Sequence, residues 1–206
     1  MIGKILKPDA TLVVSLDDYR PGNRRIAEGL AALRVPATFF IETLTREARD
    51  QVKALHEMGF EIGSHTMTHP ADIKLLNAEE LRGELETSKR IIEDLTGEEC
   101  VAFAFPRGRF NDDVVDAVRA AGYREARTTH VGKTVIPDPL RMPTTIHVYD
   151  GRKEYGGRTW RAMADFYLSD VMTRGGVFHI WGHARELERD LQLQPFLDFL
   201  SRATTP

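Results

Sequence analysis

Two adjacent carboxylates, Asp17 and Asp18, follow directly on the apolar run "LVVSL" (12–16). Charges at the tip of a strand meant for burial are costly unless they pair, hold a cation or move protons. Further on, "SHTMTHP" (64–70) carries His65 and His69 beyond a short apolar strand. A single helical turn there would bring the two imidazoles together, as two ligands of one zinc ion require. "PRGRFND" (106–112) follows the next apolar run, Arg127 sits in "EARTT" (125–129), and "FHIWGH" (178–183) contributes His179 and His183. Seven histidines give roughly 0.2 pairs at i, i+4 by chance, yet this chain has two, 65/69 and 179/183. The second pair is not equivalent to the first. On a strand its rings point the same way but stand about 13 Å apart, at about 3.3 Å per residue, and so do not share an ion. Carboxylates, imidazoles and guanidinium groups at successive strand ends have the composition of a metal hydrolase site.

Those residues need a scaffold that gathers strand ends. Short apolar or β-branched runs at 11–16, 37–42, 60–65, 100–105, 123–129 and 176–183 predict strands, and "RMPTTIHV" (141–148) holds a further candidate. Between them, helical spacing places Ile26, Leu30 and Leu33 on one face, then Ala48, Val52 and Leu55, then Leu81, Leu85 and Ile92. Asn77 with Glu80 reads as a capping box, Gly59 and Gly97 as helix stops, and Asp residues open the helix at 111–122. Further helices are expected at 161–174 and 195–203, while 130–157 has little pattern. Strands alternating with helices predict mostly parallel strands with outer helices, whose C-terminal strand ends carry the chemistry.

The bulk properties narrow the function. A length of 206 residues predicts one domain spanning 1–206. A net charge of −3 offers no basic footprint for nucleic acid or an anionic membrane. No stretch approaches the roughly 18 apolar residues of a membrane span, and "MIGKILKPDATLVVSLDD" lacks a long apolar core and a cleavage site. A cytoplasmic location is therefore the expectation. The lone Cys100 excludes an intrachain disulfide, and in "CVAFAF" it reads as a small hydrophobe. The oligomeric state, homo-oligomer included, stays open.

The motifs "SLDD", "HTMTH", "FPRG" and "WGH", in this order and spacing, resemble the polysaccharide deacetylase domain (NodB homology, carbohydrate esterase family 4). "VPATFFIE" and "EMGFEIGSHTMTHP" are similar to that family's second strand and its run into the metal motif, and the resemblance covers roughly residues 11–200. It implies a distorted (β/α) barrel of about seven strands. It also implies a divalent ion, usually zinc, on Asp18, His65 and His69, with a position left open for water and substrate. Asp17 is then the general base toward that water, and a backbone N–H near Arg107 and Gly108, in the turn opened by Pro106, helps hold the oxyanion. His183 becomes the acid that protonates the departing amine, with His179 as the second choice. The implied substrate is an N-acetylated carbohydrate or a small amide.

The chain departs from the family pattern in three places. No glycine follows the aspartates. Ala104 stands where the family has an arginine that pairs with the base, so Arg107, Arg109 or Arg127 must supply the cation, and Arg127 is favoured. The D-x-x-W motif is absent, which leaves the partner of His183 unknown; Trp181 supplies the apolar wall of the missing tryptophan or belongs to the core. His147 and Tyr149, in the poorly patterned region, read as groove cap rather than groove lining. The leading expectation is a metal-dependent N-deacetylase of an N-acetylated sugar or related amide. Two rivals stand beside it: an allantoinase-like or deformylating amidohydrolase on the same scaffold, and a non-catalytic saccharide-binding module.

Overall fold

The structure, a computed structural model, describes residues 1–205. Its central strand is β2 (Ala10–Asp17), buried at every position except Thr11. Burial on both faces is what a parallel strand covered by helices outside and by the barrel interior inside requires. Seven further strands are β1 (Gly3–Lys7), β3 (Thr38–Ile41), β4 (Glu61–Ser64), β5 (Ala102–Ala104), β6 (Glu125–Arg127), β7 (Ile146–His147) and β8 (Gly176–His183). They order as β6-β5-β4-β3-β2-β8-β7, all parallel, with β1 antiparallel on the first half of β2. The register along β2 and β8 sets Leu16 beside Gly182 and Asp17 beside His183. Sheet pairing alone therefore places two predicted site residues, from opposite ends of the chain, next to each other.

The two ends of the sheet are joined through residues 142–148. Met142 N–H donates to Ala126 O and Thr128 N–H to Met142 O, each at 2.8 Å. The same segment then reaches β8, Thr145 N–H donating to His179 O and Val148 N–H to Trp181 O, also at 2.8 Å. The seven parallel strands thus curl into a distorted barrel, the architecture that the family resemblance implies and that the alternating pattern allows.

Helices α1 (Asn23–Ala32), α2 (Arg46–Glu57), α3 (Ala78–Thr96), α4 (Asp112–Ala120), α5 (Trp160–Arg174), α6 (Ala184–Arg189) and α7 (Leu193–Thr204) surround the sheet. Their boundaries follow the sequence signals. Thr45 caps α2, and Asn77 and Glu80 close a capping box on α3, which ends at Gly97 with φ +73°. Phe39, Phe103, Phe105, Phe178 and Trp160 are fully buried between helices and sheet, each contributing about 1.5–3 kcal/mol of burial. Cys100 lies in this interior, where burial pushes its thiol pKa up to about 12, so it packs as the expected hydrophobe. Among the described residues no helix is long and apolar enough to cross a membrane.

Three elements depart from the expected pattern. β1 (GKILK) is a short antiparallel edge strand with Ile5 exposed and no fully buried residue, and so carries no buried run. The strands expected at 100–105 and 123–129 contract to three residues each, because their flanks turn into the site loops. The short helix α6, immediately after β8, has no signal long enough for a helical period.

Candidate active site

The C-terminal strand ends surround a cavity of about 620 Å³, whose wall includes Asp17, Asp18, His65, His69, Trp181 and His183. Asp17 is the last residue of β2 and is 2% exposed. The next residue, Asp18, takes φ +69°, a left-handed turn completed in one step that Asp tolerates better than most residues. Both carboxylates thereby face one site. The loop lacks glycine but is pinned by side chains: Asn23 Nδ2 donates to Asp18 O at 2.8 Å, and Tyr19 N–H to Glu42 Oε2 at 2.7 Å.

Arg127 fills the role left open by Ala104. Its guanidinium, 1% exposed, donates to Asp17 Oδ2. Burial alone pushes the Asp17 pKa up; Arg127, with His65 and His183 behind it, more than offsets this and holds the carboxyl below its ordinary value. The other oxygen, Asp17 Oδ1, is buried and has no hydrogen-bond partner.

His65 donates from Nδ1 to the backbone carbonyl of Ala104 at 2.8 Å, which leaves its Nε2 lone pair toward the site. His65 and His69 do not sit on a helical turn as expected. Thr66 and His69 are both left-handed, with φ +68° and +55°, and the rings meet with centroids 4.8 Å apart. Glu84 of α3, which the sequence reading missed, clamps this turn. Its Oε2 accepts from Met67 N–H and Thr68 N–H at 2.9 Å, and its Oε1 accepts from the Thr68 hydroxyl at 2.6 Å. Asp18 Oδ1 lies 3.7 Å from His65 Nε2 and 3.6 Å from His69 Nε2. These separations are too long for hydrogen bonds. They are close to the edge of about 3.4 Å that a tetrahedron with arms of about 2.1 Å requires. The donor set and its spacing fit a divalent cation.

The opposite wall is built by hydrogen bonds. His183 Nδ1 donates to Glu186 Oε2 at 2.6 Å, and His147 Nε2 donates to the same oxygen at 2.9 Å. Glu186, on α6, is the partner that the sequence left unassigned; the only local trace of it is the i, i+3 spacing from His183. Burial works to lower the His183 pKa, but the hydrogen bond that His183 donates to Glu186 and the charge of Asp17 raise it above its ordinary value. The three groups of this wall also lie near one another, but contacts of 2.6 and 2.9 Å are hydrogen bonds, shorter than ligands sharing one cation adopt. Trp181 stacks on His147 at 4.0 Å and 9°, and the Arg127 guanidinium lies 4.4 Å from the same ring centroid. Both groups approach that closely only from opposite faces, so Trp181 offers the cavity an edge and no free face.

The remaining expected residues divide. Pro106 is buried under a turn in which Arg107 takes φ +57° and Gly108 φ +66°. A Cβ on Gly108 would lie 2.0 Å from Thr129 Oγ1, so glycine is required there. Gly108 N–H donates to Phe105 O at 2.8 Å and is not open to a substrate, whereas the Arg107 amide makes no such bond, and Arg107 lines the cavity. Arg109 instead pairs with Asp72 at 3.1 Å. His179 is 1% exposed, 2.9 Å from Ser15 Oγ, and lies outside the cavity wall. His147, read from the sequence as a cap, forms part of that wall.

Comparisons with known proteins agree with this architecture. A sequence model described as polysaccharide deacetylase matches residues 6–126. YlxY of Bacillus subtilis (strain 168) is 32% identical over 113 residues, 53% of this chain and 35% of YlxY. The chain's matches span 29% to 38% of the length of the curated relatives. Among solved structures, the polysaccharide deacetylase Bc1974 from Bacillus cereus superposes with TM-score 0.63 at 20% identity, covering 93% of this chain and 87% of that one. Wild-type BA3943 from Bacillus anthracis, a CE4 family pseudoenzyme, superposes with TM-score 0.60 at 22% identity, covering 95% and 63%. An enzyme and a pseudoenzyme thus share this fold, and turnover has to be argued from the site.

Proposed function

We propose, for a chain that belongs to the polysaccharide deacetylase family, a metal-dependent hydrolysis that removes an N-acetyl group from an amino sugar or a related amide. One observation carries this reading: Asp18 Oδ1 stands 3.6 and 3.7 Å from two imidazole Nε2 atoms, beside a second carboxylate held by a guanidinium. Asp18, His65 and His69 would hold the cation. Bound there, a divalent ion such as zinc supplies a Lewis acid for the acyl oxygen and lowers the pKa of water.

The protein's own groups divide the proton work. Asp17 is the base: Arg127 keeps it ionised through Oδ2, and Oδ1 has no protein partner to compete for the proton. His183 is the acid, because an amide nitrogen leaves only when protonated, and Glu186 fixes its Nδ1–H so that Nε2 carries the proton to be given. The Arg107 amide is the backbone donor toward the developing oxyanion. A retained base beside a complete ligand set favours turnover over a module that only binds saccharide.

The test is acetate release from N-acetylglucosamine oligomers, run in parallel with small cyclic and N-formyl amides. Asp17→Asn is expected to lower the acetyl rate on the order of 100-fold or more. Equal rates in wild type and variant reject the role of Asp17. Faster hydrolysis of the formyl or cyclic amides replaces the N-deacetylase reading with the amidohydrolase one.

A further inference from the structure

The cavity carries more cationic side chains than the catalytic reading uses. Arg20, Arg107, Arg152 and Arg185 all line it, although the chain as a whole has a net charge of −3. The carboxylates of the same wall are already engaged. Asp17 pairs with Arg127, Asp18 belongs to the proposed cation site, and Glu42 accepts from Tyr19 N–H at 2.7 Å. Arg20 lies 3.7 Å from Asp18 Oδ2 and so faces that centre, and Arg185 stands exposed on α6.

The other two arginines meet at Thr129, which is half-buried and itself lines the cavity. Arg152 Nη2 donates to Thr129 O at 2.7 Å, and the Thr129 side chain lies directly over Gly108, the residue after Arg107. The loops after β5, β6 and β7 thus bring two arginines and a hydroxyl to one stretch of wall. Arg152 is held in place, with its side chain 20% exposed. Its carboxylate neighbour, Glu154 at 3.3 Å, is 54% exposed, so water screens that pair. Arg107 enters no ion pair among the described residues, whereas Arg109 is held by Asp72. Its φ of +57° costs free energy in a residue other than glycine. Guanidinium groups bind phosphate and carboxylate oxygens through paired N–H donors. An acetamide is neutral and leaves both of these cations without a partner.

We propose that Arg107, Thr129 and Arg152 form an anion subsite beside the deacylation centre, so that the preferred substrate is an N-acylated sugar or amide bearing a phosphate or carboxylate rather than a neutral saccharide. This rests on the deacetylase reading and names the substrate class it serves. The Arg107 side chain leaves from the residue whose amide is assigned to the oxyanion, so the anion lies near the acyl group without being part of it.

The test compares charged with neutral sugars within each variant, because a merely loosened loop weakens both alike. Zinc-loaded protein in the slow Asp17→Asn background is titrated by NMR with N-acetylglucosamine, its 1-phosphate, its 6-phosphate, and N-acetylmuramic acid, which adds a carboxylate. At least one charged sugar is expected to bind about tenfold or more tighter than the neutral one, as one charge-assisted hydrogen bond supplies. The sugar that does so identifies the anion. Arg152→Gln and Arg107→Asn should each bring that ratio to within about threefold of one; Asn takes the left-handed backbone of position 107 readily. Arg185→Gln should leave the ratio within about threefold of its parent. A parent ratio near one overturns the proposal. So does a ratio that survives both substitutions, which puts the anion on the zinc ion, or one that falls as far in Arg185→Gln, which makes it an effect of the cavity's overall charge. Acetate release by the wild type separates this from the reading it rests on. Selective binding with no acetate from any sugar refutes the deacetylase and keeps the subsite, whereas acetate release with equal affinities refutes the subsite alone.

Discussion

On the wall formed by β2 and β4, the functional side chains stand on turned backbone: Asp18, Thr66 and His69 all take positive φ. On the wall formed by β7, β8 and α6, the backbone is regular, and order comes from one carboxylate oxygen that accepts from two imidazoles. The first wall brings donor atoms to 3.6 and 3.7 Å, a spacing that suits a cation. The second brings them to 2.6 and 2.9 Å, a spacing that suits shared protons. The difference teaches how one cavity keeps the proposed metal centre and the proposed acid apart although both are made of histidine and carboxylate. Backbone turns fix separations that hydrogen bonding alone would collapse. Arg127 links the two walls, donating to Asp17 on one side and lying against Trp181 on the other.

The largest effect is therefore expected at that link. Arg127→Met leaves the Asp17 charge buried and unpaired, which costs about 3–5 kcal/mol in unfolding free energy measured with urea. The pH dependence sharpens this. Asp17 is held below its ordinary value of 3.8, so the stability contributed by the pair is present at neutral pH and fades as pH falls through the lower, folded-state pKa. In the variant the carboxyl, desolvated without its cation, moves up instead. The gap between wild type and variant should thus be widest above the variant's raised Asp17 pKa and shrink as pH falls from there through the lowered pKa of the wild type. A gap independent of pH contradicts the pairing.

A smaller effect tests the turned wall. Glu84→Ala frees two amides and a hydroxyl of the 66–69 turn. Zinc affinity should fall about 10- to 100-fold, as for loss of other groups that orient metal ligands. Competition with a chromogenic chelator measures it, and unchanged affinity means the turn holds its shape unaided.

The hydrogen-bonded wall should show the mildest change in rate and a clear change in pH profile. Glu186→Gln removes the acceptor charge that raises the His183 pKa against the opposing effect of burial. The acid then loses its proton at lower pH, so the alkaline limb of kcat/KM moves acidward and the plateau falls on the order of tenfold. A profile that keeps its alkaline limb shows that His183 is not the titrating acid.

The turned wall was the more legible of the two in the sequence. Apolar runs ending in Asp17–Asp18 and His65 gave strand ends directly, and the parallel alternation placed them on one face. Arg127 was legible only because Ala104 left a cation missing. Glu84 was hidden, because a glutamate on an exposed helical face looks like any solvated charge. Glu186 and His147 were hidden for another reason. They meet only through the pairing of β7 with β8 and a helix of six residues, neither of which leaves a periodic trace. The helical turn expected between His65 and His69 was replaced by left-handed residues, a conformation that a β-branched residue such as Thr66 rarely adopts and so does not announce.

The most direct test is an anomalous difference map, recorded at the zinc edge, from crystals grown with saturating zinc. A single peak is expected within about 2.2 Å of Asp18 Oδ1, His65 Nε2 and His69 Nε2, with both oxygens of Asp17 outside bonding distance. A peak seated instead among His147, His183 and Glu186, or none at the trio, would contradict the assignment of the metal centre.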